Sequence, residues 1–343
     1  DMGGISRRGF AGLGAAGLAA MVLPGRAVAA DKVAVGVLRF VSSGGLFIAK
    51  ERGYFAAEGI DPDLQFFEAA QPIAVAIASG DLQFGLTALT AGTFNLAAKG
   101  ALKVVASQGM EKKGVKGNAL IASNEAYAKG FNAFEKLPGT AIAITQVGSS
   151  FHYQMGQIAA AKGFDLAKVE MKPLQTLPNM MAAVKSSQVD GALIAPHLAR
   201  GMIDRGEAKL IGWFSDLAQY QFGALFVATK VATGNRDLTE RFVRAYQKGM
   251  ADYAAAFMRV DAAGERIFDD AAKATAALVA KHVYPSEAAE TAAPKVFAAA
   301  VAVDERARVD LADLERQVAW MKTEKLVGAD VDAKGFVDIS FAK

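Results

Sequence analysis

The sequence contains no cysteine, and this absence excludes several kinds of chemistry. Disulfide bonds, thiolate metal sites and cysteine nucleophiles all need the missing thiol. The sequence also lacks a large excess of charge of either sign, because 38 basic and 35 acidic side chains leave a net charge of only +3. No basic stripe runs among the aromatic residues, so the composition does not indicate a nucleic-acid-binding surface. Beyond the N-terminal segment, no apolar run reaches the ~20 residues that a membrane-spanning helix needs.

The N-terminal segment has the pattern of an export signal. Ser6-Arg7-Arg8-Gly9-Phe10 is followed by an apolar stretch, Ala11 to Leu23, and then by small residues, Ala27 to Ala30. A basic start, a short apolar run and a small-residue exit are typical of a signal peptide. The paired arginines favour the twin-arginine route, while an ordinary Sec signal stays open. We therefore predict a signal peptide over residues 1–30 and an exported protein that works in the periplasm.

Short apolar runs and helical stretches alternate along the rest of the chain, which predicts α/β architecture with parallel, doubly wound sheets. The alternation begins at Val33 and starts again at Ala141. A similar eight-residue segment occurs in both series, as SGDLQFGL from Ser79 and as SSQVDGAL from Ser186. We interpret this repeat as the same step in two similar α/β lobes. From Arg236 onward the pattern is almost entirely helical, and a stripe of large residues at helical spacing indicates a buried face. The stripe consists of Phe242, Tyr246, Met250, Tyr253 and Phe257.

Four further segments have an order and spacing that occur together in one family. They are GLFIAKERGYF from Gly45, SGDLQFG from Ser79, AKGALKVVA from Ala98 and FEKLPG from Phe134. With the C-terminal segments that begin at Leu314 and Gly335, they resemble the periplasmic solute-binding proteins of the nitrate, sulfonate and taurine ABC importers. That family also includes relatives of thiamine-pyrimidine synthase. The resemblance covers roughly the whole of the chain after residue 30.

This resemblance implies two doubly wound α/β lobes joined by a two-strand hinge, the type II periplasmic binding fold, with extra C-terminal helices. Lobe 1 is then expected at residues 31–108 plus 223–343, and lobe 2 at residues 109–222. The Gly- and Lys-rich stretch from Lys112 to Gly117 is interpreted as a solvated loop at one crossing between the lobes.

Small and hydroxyl-bearing side chains follow the predicted strands, and these positions predict a binding site. Ligands of open parallel sheets bind beyond the carboxyl ends of the strands, where helices begin with unpaired N–H groups and a partial positive charge. The Ser, Thr and Asn residues there are also ordinary helix caps, so capping and ligand contact both stay open. The candidate ligand-binding residues are Arg39, Phe40, Ser42, Ser43, Gly44, Gln71, Thr87, Thr90, Gln108, Ser149, Ser150, His152, Asn179, His197 and Trp213.

Three kinds of side chain in this set suggest different roles. His152 and His197 can donate hydrogen bonds to a ligand, and neither has a second ligand nearby at metal spacing, so we expect no metal and no cofactor. Arg39 can pair with an anionic group, or it can be a surface residue beside the first strand. Phe40 and Trp213 can wall the apolar part of a ligand, or they can pack at the hinge.

The expected function is that of a substrate-binding protein of an ABC importer. Such a protein, a monomer in our prediction, would capture a small anionic organic solute and deliver it to a permease in the inner membrane. Sulfonates, taurine-like compounds and carboxylates fit the expected site. The alternative is a small-molecule enzyme on the same fold, of the pyrimidine-synthase or lyase type, although those synthases carry a cysteine-rich motif that this chain lacks. A regulator's sensing domain has similar architecture, but a signal peptide stands where its DNA-binding helices would be.

Overall fold

The computed structural model describes residues 29–343. The predicted signal peptide lies almost entirely outside these residues and stays a prediction. Within the described part of the chain, no helix is both long and apolar enough to cross a membrane.

Ten strands in residues 29–343 form two five-stranded sheets. They are β1 (Asp31–Val37), β2 (Ile60–Phe66), β3 (Phe84–Ala88), β4 (Leu102–Glu111), β5 (Ala119–Ala122), β6 (Ala141–Ile144), β7 (Glu170–Pro173), β8 (Gly191–Ile194), β9 (Lys209–Trp213) and β10 (Tyr220–Ala228). One sheet has the order β2-β1-β3-β10-β4, and the other has the order β7-β6-β8-β5-β9. We call each sheet with its flanking helices the first lobe and the second lobe.

The helices follow the strands in the alternation that the sequence predicts. They are α1 (Gly44–Glu51), α2 (Tyr54–Ala57), α3 (Gln71–Ser79), α4 (Ala91–Ala98), α5 (Asn124–Ala128), α6 (Ser150–Lys162), α7 (Leu177–Lys185), α8 (Pro196–Asp204), α9 (Thr229–Gly234), α10 (Arg236–Phe257), α11 (Asp270–Val283), α12 (Ala289–Ala298), α13 (Leu311–Thr323) and α14 (Ala333–Phe336). The segment GLFIAKERGYF from Gly45 is divided between α1 and α2.

Both sheets are mixed, so the predicted parallel pairing holds for only part of each sheet. In the first lobe β1 pairs in parallel with β2 and β3, but β10 runs antiparallel to both β3 and β4. In the second lobe β6 pairs in parallel with β7 and β8, but β5 runs antiparallel to β8 and β9. The antiparallel strands are the ones that carry the chain between the lobes, because a strand that returns from the other lobe enters its sheet in the opposite direction.

The lobes are connected through the paired strands β4 and β10. Tyr220, the first residue of β10, lies opposite Glu111, the last residue of β4. A turn follows β4, and Lys112 and Lys113 at its start are exposed, as expected of the loop at this crossing. The predicted lobe boundaries at residues 108 and 222 fall inside these two strands and stay a prediction.

The large residues of α10 form part of the core, as their helical spacing predicts. Phe242, Tyr246, Tyr253 and Phe257 are fully buried in the cluster that covers the outer face of the first sheet. Both tyrosine hydroxyls have backbone partners, since Tyr246 donates to the Ser107 carbonyl at 2.9 Å and Tyr253 accepts from the Val301 N–H at 3.0 Å. A buried hydroxyl needs such a partner, and the bond from Tyr246 joins α10 to β4, an edge strand of this sheet.

Candidate functional site

A cavity of about 50 Å³ lies between the two lobes, at the carboxyl ends of the parallel strands. Leu38 and Thr87 line it from the ends of β1 and β3, and Thr145 lines it from the end of β6. The loops and helix starts that follow these strands complete the wall. This placement follows from the topology, because parallel strands of facing sheets direct all their following loops into one cleft.

Eight of the fifteen predicted site residues line this cavity. They come from loops of both lobes and from the crossing strand β4, which are far apart in sequence. The eight are Phe40, Ser42, Thr87, Thr90, Gln108, Ser149, Ser150 and His197. The structure thus brings residues from the first lobe, which follow β1 and β3 or lie in β4, together with residues at the starts of α6 and α8 in the second lobe.

Four helices begin at the cavity wall, one of them α7, whose first residue Leu177 lines the cavity. The Thr90 hydroxyl caps α4 by accepting from the Thr93 N–H at 3.0 Å, and the Ser149 hydroxyl caps α6 by accepting from the His152 N–H at 3.3 Å. Pro196 begins α8 and lines the cavity beside His197. Unpaired N–H groups and the positive end of the helix dipole make such helix starts favourable for an anion or another acceptor.

Direct contacts between the lobes close the cavity. The Ala91 N–H at the start of α4 donates to the Gly148 carbonyl at 2.8 Å, and the Leu177 N–H at the start of α7 donates to the Glu68 carbonyl at 3.1 Å. The Phe40 ring meets the His197 ring edge-on, with 4.8 Å between centroids. The structure is therefore a closed conformation, and a solute enters only when these contacts part.

The cavity wall carries no formal charge at neutral pH. Among the described residues that line it there is no Lys, Arg, Asp or Glu. Burial lowers the pKa of His197 to about 3, although a hydrogen bond with the Arg39 backbone offsets part of that effect. The imidazole is therefore neutral, and the polar contacts available to a ligand are hydroxyls, amides and helix N–H groups.

Four predicted residues of the first lobe lie behind or beside the cavity. The Arg39 side chain stacks on the Phe66 ring, 3.7 Å from its centroid, and donates to the His282 carbonyl at 2.8 Å, so it is occupied at the surface. Gln71 accepts a hydrogen bond from the Thr90 hydroxyl. Ser43 and Gly44 are buried, and Ser43 accepts from the Gln108 amide at 3.3 Å.

Three predicted residues of the second lobe also lie away from the cavity. The His152 Nδ1 accepts from the Gly148 N–H at 3.1 Å, and its ring packs edge-on against Trp320. Asn179 is exposed and donates to the Leu174 carbonyl at 2.9 Å. Trp213 lies under the Arg200 guanidinium, 4.8 Å from the ring centroid.

Sequence reasoning missed several lining residues. Asn118 lines the cavity from the segment that leads into β5, which the sequence did not predict as a strand. Thr145 follows the last residue of β6. Phe222 and Val301 line the cavity from β10 and from the segment after α12. For Thr145 the position after a strand was a usable signal, but Val301 is placed only by the tertiary fold.

A buried carboxyl, Glu111, lies behind the wall at the crossing between the lobes. One of its oxygens accepts from the Asn118 N–H at 2.8 Å and from the Gln154 amide at 3.4 Å. The other oxygen and the Tyr220 hydroxyl have no partner among residues 29–343. Burial raises the pKa of Glu111 to about 7, because the hydrogen bonds only partly offset the loss of hydration. Because Asn118 lines the cavity, the carboxyl holds one part of the wall in place.

Comparisons with known proteins agree with this geometry. The family model described as NMT1/THI5 like matches residues 41–256, which is more than half of the chain. A search of the curated proteins finds no match to the sequence.

Solved structures with the same architecture include binding proteins and an enzyme. The ligand-binding component of an ABC-type import system from Staphylococcus aureus, with zinc bound, is 14% identical, with a TM-score of 0.70 over 91% of this chain and 98% of that chain. The alkanesulfonate-binding protein SsuA from Xanthomonas axonopodis pv. citri, bound to MOPS, is 16% identical, with a TM-score of 0.70 over 91% of this chain and 99% of that chain. The desulfurization enzyme DSZB is 14% identical, with a TM-score of 0.59 over 91% and 97%. At these identities the likeness shows the fold, and it confirms the type II periplasmic binding fold.

Proposed function

Because the chain belongs to the NMT1/THI5-like family, we propose that it is the substrate-binding component of an ABC importer. In this proposal it works in the periplasm as a monomer and delivers a small organic anion to an inner-membrane permease. One observation carries the proposal: a cavity lies between two lobes whose closing contacts are direct interlobe hydrogen bonds. A receptor needs such a site, and the similar fold of the ligand-binding component from Staphylococcus aureus supports the same conclusion.

The chemistry of the wall supports a solute with a single negative charge. Helix starts and hydroxyls stabilise an anionic oxygen group by hydrogen bonds and partial charges. No cationic side chain lines the described wall, so two negative charges inside the cavity would lack a counter-charge. The apolar residues Phe40, Leu177 and Phe222 fit the carbon part of the solute. We therefore propose a sulfonate, a taurine-like compound or a carboxylate.

The proposed mechanism is capture by closure. A solute that contacts both lobes binds the closed form more tightly than the open form, and this difference in affinity shifts the equilibrium toward closure. Thr87 and Thr90 belong to one lobe and Ser149 and Ser150 to the other, so the polar contacts that select the closed form come from both sides. No covalent step is needed.

A thermal-shift screen of small sulfonates, amino-sulfonates and carboxylates tests the proposal, since a ligand that binds only the folded protein raises its melting temperature. The key variant is Ser149→Ala, and its matched control is Ser123→Ala. Both serines are buried and cap a helix, with Ser123 accepting from the Ala126 N–H at 3.1 Å, but only Ser149 lines the cavity.

Each serine substitution should lower stability by about 1 kcal/mol through loss of the cap. Affinity for a solute found in the screen should fall about tenfold or more for Ser149→Ala and stay unchanged for Ser123→Ala. Equal affinities for both variants, measured by calorimetry, would remove the cavity from consideration as the binding site.

The shared fold of the desulfurization enzyme makes catalysis the second candidate function. This chain has no cysteine, and its cavity offers only a neutral histidine among the usual acid–base groups. Incubating a binding solute with the protein and analysing it by mass spectrometry separates the two candidates. A receptor returns the solute unchanged at one equivalent, whereas continuing conversion would establish an enzyme.

A further inference from the structure

Two amide side chains line the cavity, and the nitrogen of each is already bonded to the protein. Asn118 lies between β4 and β5, and Gln108 lies in β4. Both belong to the stretch of chain that carries the first lobe into the second. The Thr and Ser hydroxyls of the wall can donate or accept, whereas an amide oxygen can only accept. The two amides therefore restrict which group of a solute fits beside them.

The orientation of the Asn118 amide follows from a chain of hydrogen bonds that begins at Glu111. A carboxyl oxygen of Glu111 accepts from the Gln154 Nε2 at 3.4 Å, which turns the Gln154 oxygen toward Asn118. That oxygen accepts from the Asn118 Nδ2 at 3.0 Å. Because Gln154 is fully buried, the bond is shielded from water. The nitrogen of Asn118 is thus engaged with the protein, and its Oδ1 is the atom that remains for a ligand.

The Gln108 side chain has the same arrangement. It is 2% exposed, and its Nε2 donates to the Ser43 hydroxyl at 3.3 Å. Its Oε1 is buried and has no hydrogen-bond partner among residues 29–343. A buried acceptor without a donor is unfavourable, because it has lost its hydration and gained no bond in return. A solute with an N–H group at this place would supply the missing bond.

The size of the cavity places both amides against the same small solute. A volume of about 50 Å³ has room for only a few water-sized groups, so a solute that fills it contacts the wall on all sides. In the proposed function, helix starts and hydroxyls bind the acid group. Asn118 and Gln108 then remain for a second polar group. No carboxylate lines the described wall, so hydrogen bonds rather than an ion pair recognise that group.

We propose that Asn118 and Gln108 are specificity-determining residues that bind an amino group of the solute. This inference rests on the proposed function, and it narrows the solute to a short chain with an amino group at one end and a sulfonate or carboxylate at the other. Such a zwitterion has no net charge, which suits a wall without formal charge. A methyl group in place of the amino group would leave both amide oxygens unpaired, and sites built to bind an N–H group discriminate against analogues for this reason.

The test uses pairs of solutes in which a methyl group replaces the amino group. Taurine is paired with propane-1-sulfonate, and β-alanine is paired with butanoate. Within each pair the number of non-hydrogen atoms is equal. Calorimetric titration of the full mature protein gives the dissociation constants, and the measured quantity is their ratio within a pair. We expect the wild type to bind the amino member about tenfold more tightly or better.

The test variants are Asn118→Ala and Gln108→Met, and the matched control is Asn95→Ala. Asn95 is half-buried like Asn118, but its amide does not line the cavity. It donates to the Leu326 carbonyl at 3.1 Å and accepts from the Gly328 N–H at 3.3 Å. Each test variant should lose most of the preference for the amino member, and Asn95→Ala should keep it. Because each ratio is taken within one protein, a general loss of stability or of closure cancels.

The variant Gln108→Glu separates the loss of an acceptor from a disturbance of packing. It keeps an acceptor oxygen at the same place and adds a negative charge that attracts an ammonium group. It should therefore retain the preference for the amino member or increase it, while Gln108→Met loses the preference. An equal loss in both variants would mean that Gln108 acts through packing alone, which contradicts the inference.

Two further results would overturn the inference and leave the receptor function standing. The first is equal binding of the two members of each pair by the wild type. The second is a preference for the amino member that persists in both Asn118→Ala and Gln108→Met, because the amino group would then be bound elsewhere. If none of the four acids binds to the wild type, the proposed function fails together with this inference. The two ideas therefore fail in different measurements.

Discussion

At the scale of single residues, Glu111 shows how a buried group can make the stability of a protein sensitive to pH. It is fully buried at the crossing between the lobes, and the groups that face it are neutral: Tyr220 from β10, Gln154 from α6 and the Asn118 N–H. Lys112 and Lys113 on the following turn are exposed. Without a cation nearby, the carboxyl is held in its protonated form to a higher pH than usual.

The variant Glu111→Gln should change how stability depends on pH. The pKa of Glu111 is about 7 in the folded protein against an ordinary value of 4.5, so the folded state binds this proton more tightly than the unfolded state. Its contribution is fully present below pH 4.5 and is lost as the pH rises through 7, which amounts to about 3 kcal/mol. We expect Glu111→Gln to gain stability relative to the wild type by about that amount between pH 4.5 and pH 8.

Urea unfolding of both proteins across this range measures the difference. The histidines His152, His197 and His282 also titrate, with pKa values lowered mainly by burial. Their contribution is common to both proteins and cancels in the subtraction. If the free energies of unfolding of the two proteins differ by the same amount at every pH, the pKa of Glu111 is not raised in the folded protein.

At the scale of helices and loops, the starts of the helices have two different tasks. Those of α4 and α7 donate backbone hydrogen bonds to carbonyls of the opposite lobe, and these bonds hold the lobes together. The starts of α6 and α8 make no such bond within residues 29–343 and line the cavity, which Thr90 before α4 and Leu177 of α7 also line. The loop between β6 and α6 joins both tasks, because Gly148 accepts the bond from Ala91 while the next residue, Ser149, caps α6.

The variant Gly148→Ala should weaken closure more than it weakens folding. Gly148 has φ of 81°, and a Cβ there would lie 2.8 Å from the Ala91 Cβ of the other lobe. Gly163 is the matched control, because it has φ of 72° and a Cβ there would meet nothing within 4 Å. Both alanine variants should lose roughly 1–2 kcal/mol of stability from the left-handed backbone.

Only Gly148→Ala should also lose affinity for a solute, by about tenfold or more, because its methyl group pushes the lobes apart. Calorimetric titration of the two variants makes the comparison. Unchanged affinity in Gly148→Ala would mean that the closed contact between Ala91 and Gly148 is not part of the bound state.

At the scale of the whole molecule, the connections between the lobes determine how it can move. Two paired strands cross at Glu111 and Tyr220, while α13 packs against α6 of the second lobe and against β10. The closing contacts lie on the side of the cavity where the helices begin. We therefore propose that opening is a hinge motion about the paired strands, with domain boundaries near residues 108 and 222.

Spin labels on the two lobes should report this motion. The chain has no cysteine, so Val75→Cys and Val147→Cys together give two unique labelling sites, 51% and 53% exposed in the wild type, on opposite lobes. Saturating solute should shift the distance distribution to a single shorter distance. The control pair, Tyr127→Cys with Val147→Cys, lies within the second lobe and should not change. An interlobe label distance that stays the same when solute is added would contradict the proposed hinge motion.

Local patterns were sufficient to predict most elements, and particular residues show why. The apolar run at Val33 and the stripe of large residues from Phe242 to Phe257 appear in the structure within β1 and α10, because each follows a period that its own residues set. Strand β5 was missed, since four apolar residues, Ala119 to Ala122, have no flanking signal of their own. Strand β10 was missed for a different reason: its partners, β3 and β4, precede it by more than a hundred residues.

The candidate site was predictable as a set of loops but not as a set of contacts. Thr87 and Ser149 were found because parallel strands present the residues that follow them to a cleft. Arg39 and His152 lie in loops that also follow strands. The Arg39 side chain nevertheless stacks on the Phe66 ring, and the His152 ring accepts a hydrogen bond from the Gly148 N–H. Which way a side chain at such a position points depends on its neighbours in space.

The sequence by itself determined the two α/β lobes, the family and the neutral chemistry of most loops, since all three depend on residues that are near one another along the chain. The tertiary structure alone decided the mixed direction of the sheets and the raised pKa of Glu111. The physical reason is that strand direction and burial depend on distances between residues that the chain order does not set. Burial in particular comes from all surrounding elements together, and no local pattern encodes it.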